Sequence, residues 1–179
     1  ISAFDVVLPN PIPDKGRVLT GLTLFWLERT TDVVPNHLVS ADRRDFPEPF
    51  RSEPSLAGRG MLATRAQVIP VECVVRNIAA GSICRRYGVQ EGLELNPPTF
   101  ELFLKSDPLG DPIVNEYHVR SFGWATEAQL TRMKELTFKI NDVLKPLFLS
   151  GDMLLVDFKL EFGLFNGEVL LGDEFSPDG

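Results

Sequence analysis

Apolar residues recur at helical spacing in two segments of the chain. Across residues 17–31 they stand three or four positions apart, which predicts a helix with one buried face. A longer series predicts a second helix over residues 126–149, begun by a capping box of Thr126 and Gln129. Pro146 is expected to kink or end this helix, because proline lacks the backbone donor. The apolar side of the second helix consists of Leu130, Met133, Leu136, Ile140, Val143, Leu144 and Leu147.

Shorter apolar runs predict strands. Residues 1–8 and 100–104 each have the length and composition of one strand. Residues 61–77 predict a half-buried strand, a break at Pro70 and then a fully buried strand, since proline cannot donate to a central ladder. Residues 40–60 are mostly charged residues, proline and serine, which is typical of a solvated connection.

Two turn signals complete the pattern. Asn166-Gly167 lies between the apolar runs 153–162 and 168–173, which predicts a terminal β-hairpin. Gly81-Ser82 is expected to open a short helix that Gly88 closes. Together these elements predict an α+β fold with mainly antiparallel sheets.

Composition excludes several classes of function. The net charge of −7 argues against a sequence-independent grip on nucleic acid, which needs a field of lysine and arginine. No apolar stretch approaches the ~20 residues of a membrane span, so we expect no membrane partner and a cytoplasmic location. Cys73 and Cys84 lack the spacing of a metal site and are expected to be buried thiols. Because it opens at Ile1 in an apolar run and stops at Gly179 after a charged motif, the chain is expected to be truncated at both ends.

The predicted hairpin carries three ionisable residues at alternate positions. Asp157, Lys159 and Glu161 should share one face of a strand, a pattern that an ordinary amphipathic strand with a solvated face also has. Asp173 or Glu174 would meet Glu161 across the turn, and two adjacent carboxylates repel unless a cation lies between them. A magnesium ion carrying nucleotide phosphates fits this position, with Lys159 as a point charge on the same phosphates.

A second group of residues follows the densest β signal. Arg76 ends a buried strand and Ser82 begins a helix, so a phosphate there would gain backbone donors and a planar guanidinium. The alternative is that Arg76 pairs with a structural carboxylate such as Glu72, and that Gly81-Ser82 is only a helix cap. The pattern alone favours neither interpretation.

The turn-rich loop over residues 105–112 has a weaker signal. Lys105 would add a cation and Asp111 a metal-binding carboxylate, although most such loops only connect elements. His118 is expected at the surface, and His37 is the only other histidine. Histidine-based catalysis therefore has little support, and the chain has no Gly-x-Ser-x-Gly or Walker-type loop.

The order and separation of these motifs resemble the SAICAR synthetase family, the phosphoribosylaminoimidazole-succinocarboxamide synthases. The family normally also has a Gly-rich basic strand pair before the part matched here and an arginine beyond Asp178, and neither has a counterpart in these residues. The matching runs are Ile69-Pro70-Val71-Glu72, Val75-Arg76-Asn77, Gly81-Ser82, residues 155–163 and residues 173–178.

The resemblance implies an ATP-dependent carbon–nitrogen ligase of de novo purine biosynthesis. In that reaction ATP phosphorylates the carboxylate of carboxyaminoimidazole ribotide, and the amine of L-aspartate attacks the acyl phosphate, which gives SAICAR, ADP and phosphate. Mg2+ would accompany ATP. The implied fold has two lobes around a kinase-like ATP cleft, with residues 1–66 as the remainder of the smaller lobe and residues 67–179 as the catalytic lobe. A homo-oligomer is compatible with all of this.

By the same resemblance, functional roles fall on particular residues. Arg76 and Ser82 would hold the ribotide phosphate, and Asp157 and Lys159 would be catalytic, lying where the substrates meet. Asp157 would either orient the ribotide or accept a proton. The residues implied in ATP binding are Ala66, Val68, Lys159, Glu161 and Asp173, and those implied in metal binding are Glu161, Asp173 and Asp111.

Two other functions fit parts of the pattern. Another ATP-dependent phosphotransferase with the same cleft would need the acidic hairpin but not the Arg76 and Ser82 site. A nucleotide-binding or interaction module would bind ATP without forming a product. Omitting aspartate separates the first from a ligase, and the absence of product separates the second.

Overall fold

A five-stranded antiparallel sheet organises the structure, a computed structural model that describes residues 2–3, 6–7, 9–10 and 12–176. The strands are β1 Ser2–Ala3, β2 Val6–Val7, β3 Leu38–Ser40, β4 Leu62–Ala63, β5 Gln67–Ile78, β6 Glu94–Leu104, β7 Ile113–Val114, β8 Asp157–Phe165 and β9 Glu168–Gly172. The helices are α1 Lys15–Arg29, α2 Ser82–Tyr87, α3 Glu116–Ser121 and α4 Glu127–Ser150. The central sheet has the order β7-β6-β5-β8-β9, and β1-β2 and β3-β4 form separate antiparallel pairs.

One face of the central sheet packs against α4. The strands contribute alternate apolar residues, which the pleat directs to one side of the sheet. Helix α4 contributes its predicted apolar side. Each large apolar side chain buried here contributes about 1.5–3 kcal/mol relative to exposure, so this layer is the main source of stability. The core between them includes Val71, Cys73, Leu160, Phe162, Met133, Leu136, Ile140 and Leu144.

A buried amide pair links the sheet to α4. Asn77 Nδ2 donates to Asn141 Oδ1 at 2.8 Å, and Asn141 Nδ2 donates to Asn77 Oδ1 at 3.0 Å. Both residues are buried, so the reciprocal bonds satisfy groups that water cannot reach. Asn77 Nδ2 also donates to the Leu155 carbonyl, which holds the segment before β8 against the end of β5.

Helix α4, predicted over residues 126–149, is confirmed with nearly the same bounds. Thr126 and Gln129 exchange the two hydrogen bonds of a capping box. The helix continues through Pro146 to Ser150, so Pro146 does not end it, and the alternative expectation of a kink stays a prediction. Pro146 and Asp142, the residue four positions earlier, are both exposed, so water can replace the missing backbone bond.

Pro70 does not divide the sheet as predicted. Strand β5 runs continuously through it, and the register with β8 shifts between Val68 and Glu72. Proline is tolerated at such an irregularity, because its missing donor is not required there. Its carbonyl oxygen instead accepts from the Lys105 backbone N–H at 3.1 Å, which fixes the end of β6 beside β5.

Most other predicted elements are confirmed with shifted bounds. Helix α1, the short helix α2 closed by Gly88, and the final hairpin are present. Asn166 and Gly167 have φ values of 52° and 85°, as a tight hairpin turn requires. The strand predicted over residues 1–8 is wrong where the structure describes it, because β1 and β2 pair antiparallel with each other. Residues 1, 4, 5 and 8 of that stretch lie outside the described residues.

The remaining sequence expectations concern thiols and membranes. Cys73 is buried and Cys84 is half-buried, and neither forms a disulfide. Burial raises the pKa of the Cys73 thiol, so this side chain is an unreactive part of the core. Of the helices in the described residues, none has both the length and the apolar character needed to cross a bilayer.

Candidate active site

The face of the sheet opposite α4 carries the ionisable residues. The register pairs Glu72 with Glu161, Val74 with Lys159 and Arg76 with Asp157 across β5 and β8. Because side chains alternate along a strand, these residues share one face while their neighbours enter the core. The prediction that Asp157, Lys159 and Glu161 share one face is therefore confirmed.

Arg76 is the centre of one end of this polar face. Its Nη2 donates to Ser82 Oγ at 3.0 Å, so the structure brings together the two residues predicted to hold a phosphate. Nε donates to Glu101 Oε2 at 2.7 Å and Nη1 to Asp157 Oδ2 at 2.5 Å. The alternative expectation, that Arg76 pairs with a structural carboxylate, is met by the buried Glu101 and not by the suggested Glu72.

The turn before α2 explains why Ser82 reaches Arg76. Gly81 has φ 60° and ψ −118°, a conformation that an L-residue side chain rarely tolerates. The chain can therefore reverse from the end of β5 directly into α2. Ser82, the first helical residue, is thereby placed beside the strand that it has just left.

Glu161 is the centre of the opposite end. Lys159 Nζ lies 2.9 Å from Glu161 Oε1 and 3.1 Å from Glu72 Oε1, and Lys105 Nζ contacts Glu161 Oε2. Burial acts to raise the pKa of Glu161, but the two ammonium groups outweigh it and hold this pKa below its ordinary value. Burial acts to lower the pKa of Lys159, but Glu161 and Glu72 outweigh it and raise this pKa. Glu161 is therefore a carboxylate and Lys159 an ammonium at neutral pH.

Asp173 lies directly after β9, next to Glu161, as the hairpin predicted. It follows Gly172, the register partner of Glu161, and has φ 59°. Partial desolvation and the charge of Glu161 raise the pKa of the Asp173 carboxyl. Such repulsion between two carboxylates is what a bound cation relieves, and carboxylate oxygens are the ligands that Mg2+ prefers. The donor set therefore fits a magnesium ion.

A cleft of about 240 Å³ lies beside this carboxylate pair. Four of the five residues predicted to bind ATP line it, namely Ala66, Val68, Glu161 and Asp173. The segment before β5 is held there by backbone bonds, from Thr64 N–H to the His37 carbonyl and from His37 N–H to the Leu171 carbonyl. Lys159, the fifth residue, contacts Glu161 from the polar face.

Asp111 is not brought into this group. Its carboxylate accepts from the Ser106 backbone N–H at 2.7 Å and so closes its own loop. In the described part of the chain, no three His, Cys, Asp or Glu side chains converge as a possible set of metal ligands. A metal role for Asp111 stays a prediction. His118 is exposed and caps α3 together with Asn115, as expected of a surface residue.

Three residues contact the predicted site residues, although the sequence did not assign them to the site. Glu101 and Arg86 were missed, and Lys105 was mentioned only as a loop cation, yet each contacts a predicted site residue. Arg86 stands four positions after Ser82, which places both on one side of a helix. That spacing was a usable signal, whereas Glu101 depends on the pairing of β5 with β6.

Comparison with known proteins identifies the family. The family model described as SAICAR synthetase matches residues 1–179, the whole chain. The chain belongs to the SAICAR synthetase family.

Relatives in this family are similar along most of the chain. It is 56% identical over 179 residues to the phosphoribosylaminoimidazole-succinocarboxamide synthase of Cellvibrio japonicus, covering 99% of this chain and 70% of that protein. It is 69% identical over 131 residues to the enzyme of the same name from Alcanivorax borkumensis, covering 73% of this chain and 55% of that protein. The matched regions thus span 55% and 70% of the length of these two relatives.

Solved SAICAR synthetases have the same fold. A type 2 SAICAR synthetase in complex with ADP superposes with a TM-score of 0.85 at 31% identity, covering 99% of this chain and 70% of that one. The Saccharomyces cerevisiae enzyme complexed with SAICAR superposes with a TM-score of 0.83 at 28% identity, covering 100% of this chain and 66% of that one. The predicted α+β, SAICAR synthetase-like fold is thereby confirmed.

Proposed function

We propose that this chain carries the catalytic core that joins L-aspartate to carboxyaminoimidazole ribotide at the expense of ATP. The observation that carries the proposal is the polar face of the sheet, where β5 and β8 hold an arginine–serine site at one end and a carboxylate–lysine site at the other. A ligase of this type needs both, because it must hold a phosphorylated acceptor and a nucleotide at once.

Each end of the face has a chemistry suited to one substrate. Arg76 and Ser82 would bind the ribotide phosphate through a guanidinium and a hydroxyl. The cleft lined by Ala66 and Val68 would receive the adenine, with the nucleotide phosphates directed toward Glu161 and Asp173. The ribotide carboxylate and the γ-phosphate would then meet near Lys159, between the two ends.

The charged residues between the ends support phosphoryl transfer. The ammonium of Lys159 would neutralise charge on the phosphoryl group as it passes to the ribotide carboxylate and forms the acyl phosphate. Attack by the aspartate amine then forms the amide and releases phosphate. Asp157 is partly exposed beside Arg76, so it would orient the ribotide or accept a proton from the amine.

Glu161 and Asp173 would hold Mg2+ with the nucleotide phosphates. The ion supplies charge neutralisation at those phosphates when it is bound. Two protein carboxylates suffice, because Mg2+ in nucleotide sites takes its remaining ligands from phosphate and water. The pKa of Asp173, raised by partial desolvation and by the charge of its neighbour Glu161, supports this assignment.

Further assignments follow from the same proposal. Residues 1–66 would belong to the smaller lobe and residues 67–179 to the catalytic lobe, and β5 begins at Gln67. The unpaired thiols of Cys73 and Cys84 support a reducing, cytoplasmic environment. The partners would be small molecules, with neither nucleic acid nor membrane, and a homo-oligomer is compatible with the proposal.

Phosphate release by the full-length protein tests the proposal. The assay contains ATP, Mg2+, the ribotide and aspartate, and each is omitted in turn. We expect release to require both the ribotide and aspartate and to collapse in Arg76→Ala, but to persist in Arg85→Ala, which changes an exposed arginine of α2. Release without aspartate would instead indicate a phosphotransferase, and ATP binding without any release would indicate a binding module.

A further inference from the structure

We propose that Glu101 and Arg86 are positioning residues that hold Arg76 and Ser82 in the geometry for binding a phosphate monoester. This inference rests on the proposed function, because it concerns the end of the polar face assigned to the ribotide phosphate. Neither residue belongs to the motifs that identified the site.

Glu101 connects two arginines. Its Oε2 accepts from Arg76 Nε at 2.7 Å, and its Oε1 accepts from Arg86 Nη2. The side chain is only 7% exposed, and a buried carboxylate is stable only when it is paired and hydrogen-bonded. The two guanidinium groups therefore hold Glu101 in place, and Glu101 fixes the separation and orientation of the guanidinium groups.

Ser82 is shared by the same two arginines. Its Oγ accepts from Arg76 Nη2 at 3.0 Å and from Arg86 Nη1 at 3.3 Å. A hydroxyl oxygen has two lone pairs and one proton, so two incoming N–H groups leave the proton to be donated outward. The arginines thus make Ser82 a hydrogen-bond donor, which is the character that a phosphate oxygen requires.

Arg86 is held by packing as well as by charge. Its guanidinium lies 5.4 Å from the ring centroid of Phe103 and 5.5 Å from that of Tyr87. These cation–π contacts and the Glu101 ion pair restrict its rotation. Its Nε is buried and has no hydrogen-bond partner within the described residues. The side chain therefore supports the site as a fixed group and not as a mobile surface cation.

The two carboxylates that bind Arg76 differ in exposure, and the more exposed one is the one that a phosphate can replace. Asp157 is 37% exposed and Glu101 is 7% exposed, although both bind Arg76. Without a ligand, the two arginines and the two carboxylates balance in charge. When a phosphate replaces Asp157 on Arg76, two arginines face one buried carboxylate, so the remaining protein charge is positive and favours the incoming anion.

The test compares the ribotide with its dephosphorylated nucleoside as substrates of the full-length protein. The variants are Glu101→Gln and Arg86→Lys, with Arg85→Lys as the matched control on the exposed side of α2. We expect both variants to raise KM for the ribotide by about tenfold or more, while KM for ATP changes less than about twofold. The preference for the ribotide over the nucleoside should fall by the same factor, and Glu101→Asp should restore part of it.

Each result has a distinct meaning. If the wild-type protein shows no release dependent on ribotide and aspartate, the proposed function is wrong. If it does, and Arg76→Ala is impaired while Glu101→Gln and Arg86→Lys behave like Arg85→Lys, only the positioning inference is wrong. Equal losses with ribotide and nucleoside would also contradict it, since they indicate general structural damage. If Glu101→Gln does not fold, the more exposed Arg86 decides the outcome through Arg86→Lys.

Discussion

Gly163 packs so closely against Ala66 that a Cβ added to the glycine would lie 2.8 Å from the Ala66 Cβ and 3.2 Å from the Gln67 carbonyl oxygen. Real Cβ contacts are essentially never this short, so the backbone entering β5 would have to move. Both residues line the cleft proposed for the adenine of ATP. The close approach therefore sets the shape of that cleft.

We expect Gly163→Ala to destabilise the protein and weaken ATP binding. Overpacking of this kind costs about 1–3 kcal/mol, and displacement of Ala66 should raise KM for ATP severalfold. Gly21→Ala is the control, because it lies in α1 with no atom within 4 Å of the added group. It should stabilise by about 0.5–1 kcal/mol. Urea unfolding and ATP kinetics measure both effects, and a stabilised Gly163→Ala would contradict the prediction.

Asp173→Asn should raise thermal stability while it abolishes magnesium-dependent turnover. The raised pKa of Asp173 means that its charge opposes folding once the carboxyl ionises. The gain should be roughly 1–3 °C at neutral pH without Mg2+, and it should shrink as the pH falls through the raised pKa and vanish below about pH 3, where the carboxyl is protonated in folded and unfolded states alike. Calorimetry across pH measures this. A loss of stability at neutral pH would mean that Asp173 does not repel Glu161.

Lys105→Gln should destabilise the protein through Glu161. The lysines hold the pKa of Glu161 below its ordinary value, so their contribution to folding is present at neutral pH and is lost as the pH falls through the folded-state pKa. Because Lys105 is partly exposed and Lys159 still contacts Glu161, we expect a loss of only about 1–2 kcal/mol at pH 7.

The control for this prediction is Lys139→Gln, which changes an exposed lysine of α4. Its effect should stay within about 0.5 kcal/mol at every pH. The difference between wild type and Lys105→Gln should shrink in acid. A difference that is independent of pH would assign the stabilisation to the packing of the lysine side chain and not to its charge.

The amide pair of Asn77 and Asn141 should behave as one unit. Each alanine substitution leaves the opposite amide buried without its partner, at a cost of about 1–3 kcal/mol. The double substitution should cost less than the two single costs together by at least about 0.5 kcal/mol. Denaturant unfolding of the four proteins measures the coupling, and Asp142→Ala at an exposed neighbour is the control. Simple additivity would show that the two amides do not depend on each other.

The sequence predicted elements better where a local pattern decides them. The capping box at Thr126 and the turn at Asn166-Gly167 use contacts between near neighbours, and both are present. Pro70 was misjudged because the irregular register that accommodates it depends on the part of β8 opposite it, more than ninety residues along the chain.

The same difference between local and long-range contacts applies to the candidate site. Alternation along one strand placed Asp157, Lys159 and Glu161 on one face, since the pleat requires it. Glu101 was not found, because its position beside Arg76 depends on which strands pair and in what register. The sequence left open whether Arg76 binds a phosphate or pairs with a carboxylate such as Glu72, and only the three-dimensional arrangement reveals that Glu101 is its buried carboxylate partner.

The pairing of β5 with β8 also fixes the distance between the two ends of the polar face. Arg76 and Glu72 are four residues apart on β5, opposite Asp157 and Glu161 on β8, so the two ends of the polar face are about 13 Å apart. Backbone hydrogen bonds set this separation, and side-chain rotation changes it little. In the proposed function the ribotide at one end and the nucleotide at the other must together match that span, so the ladder itself would reject acceptors whose phosphate and reactive carboxylate lie too close together or too far apart for the carboxylate to meet the γ-phosphate between the ends.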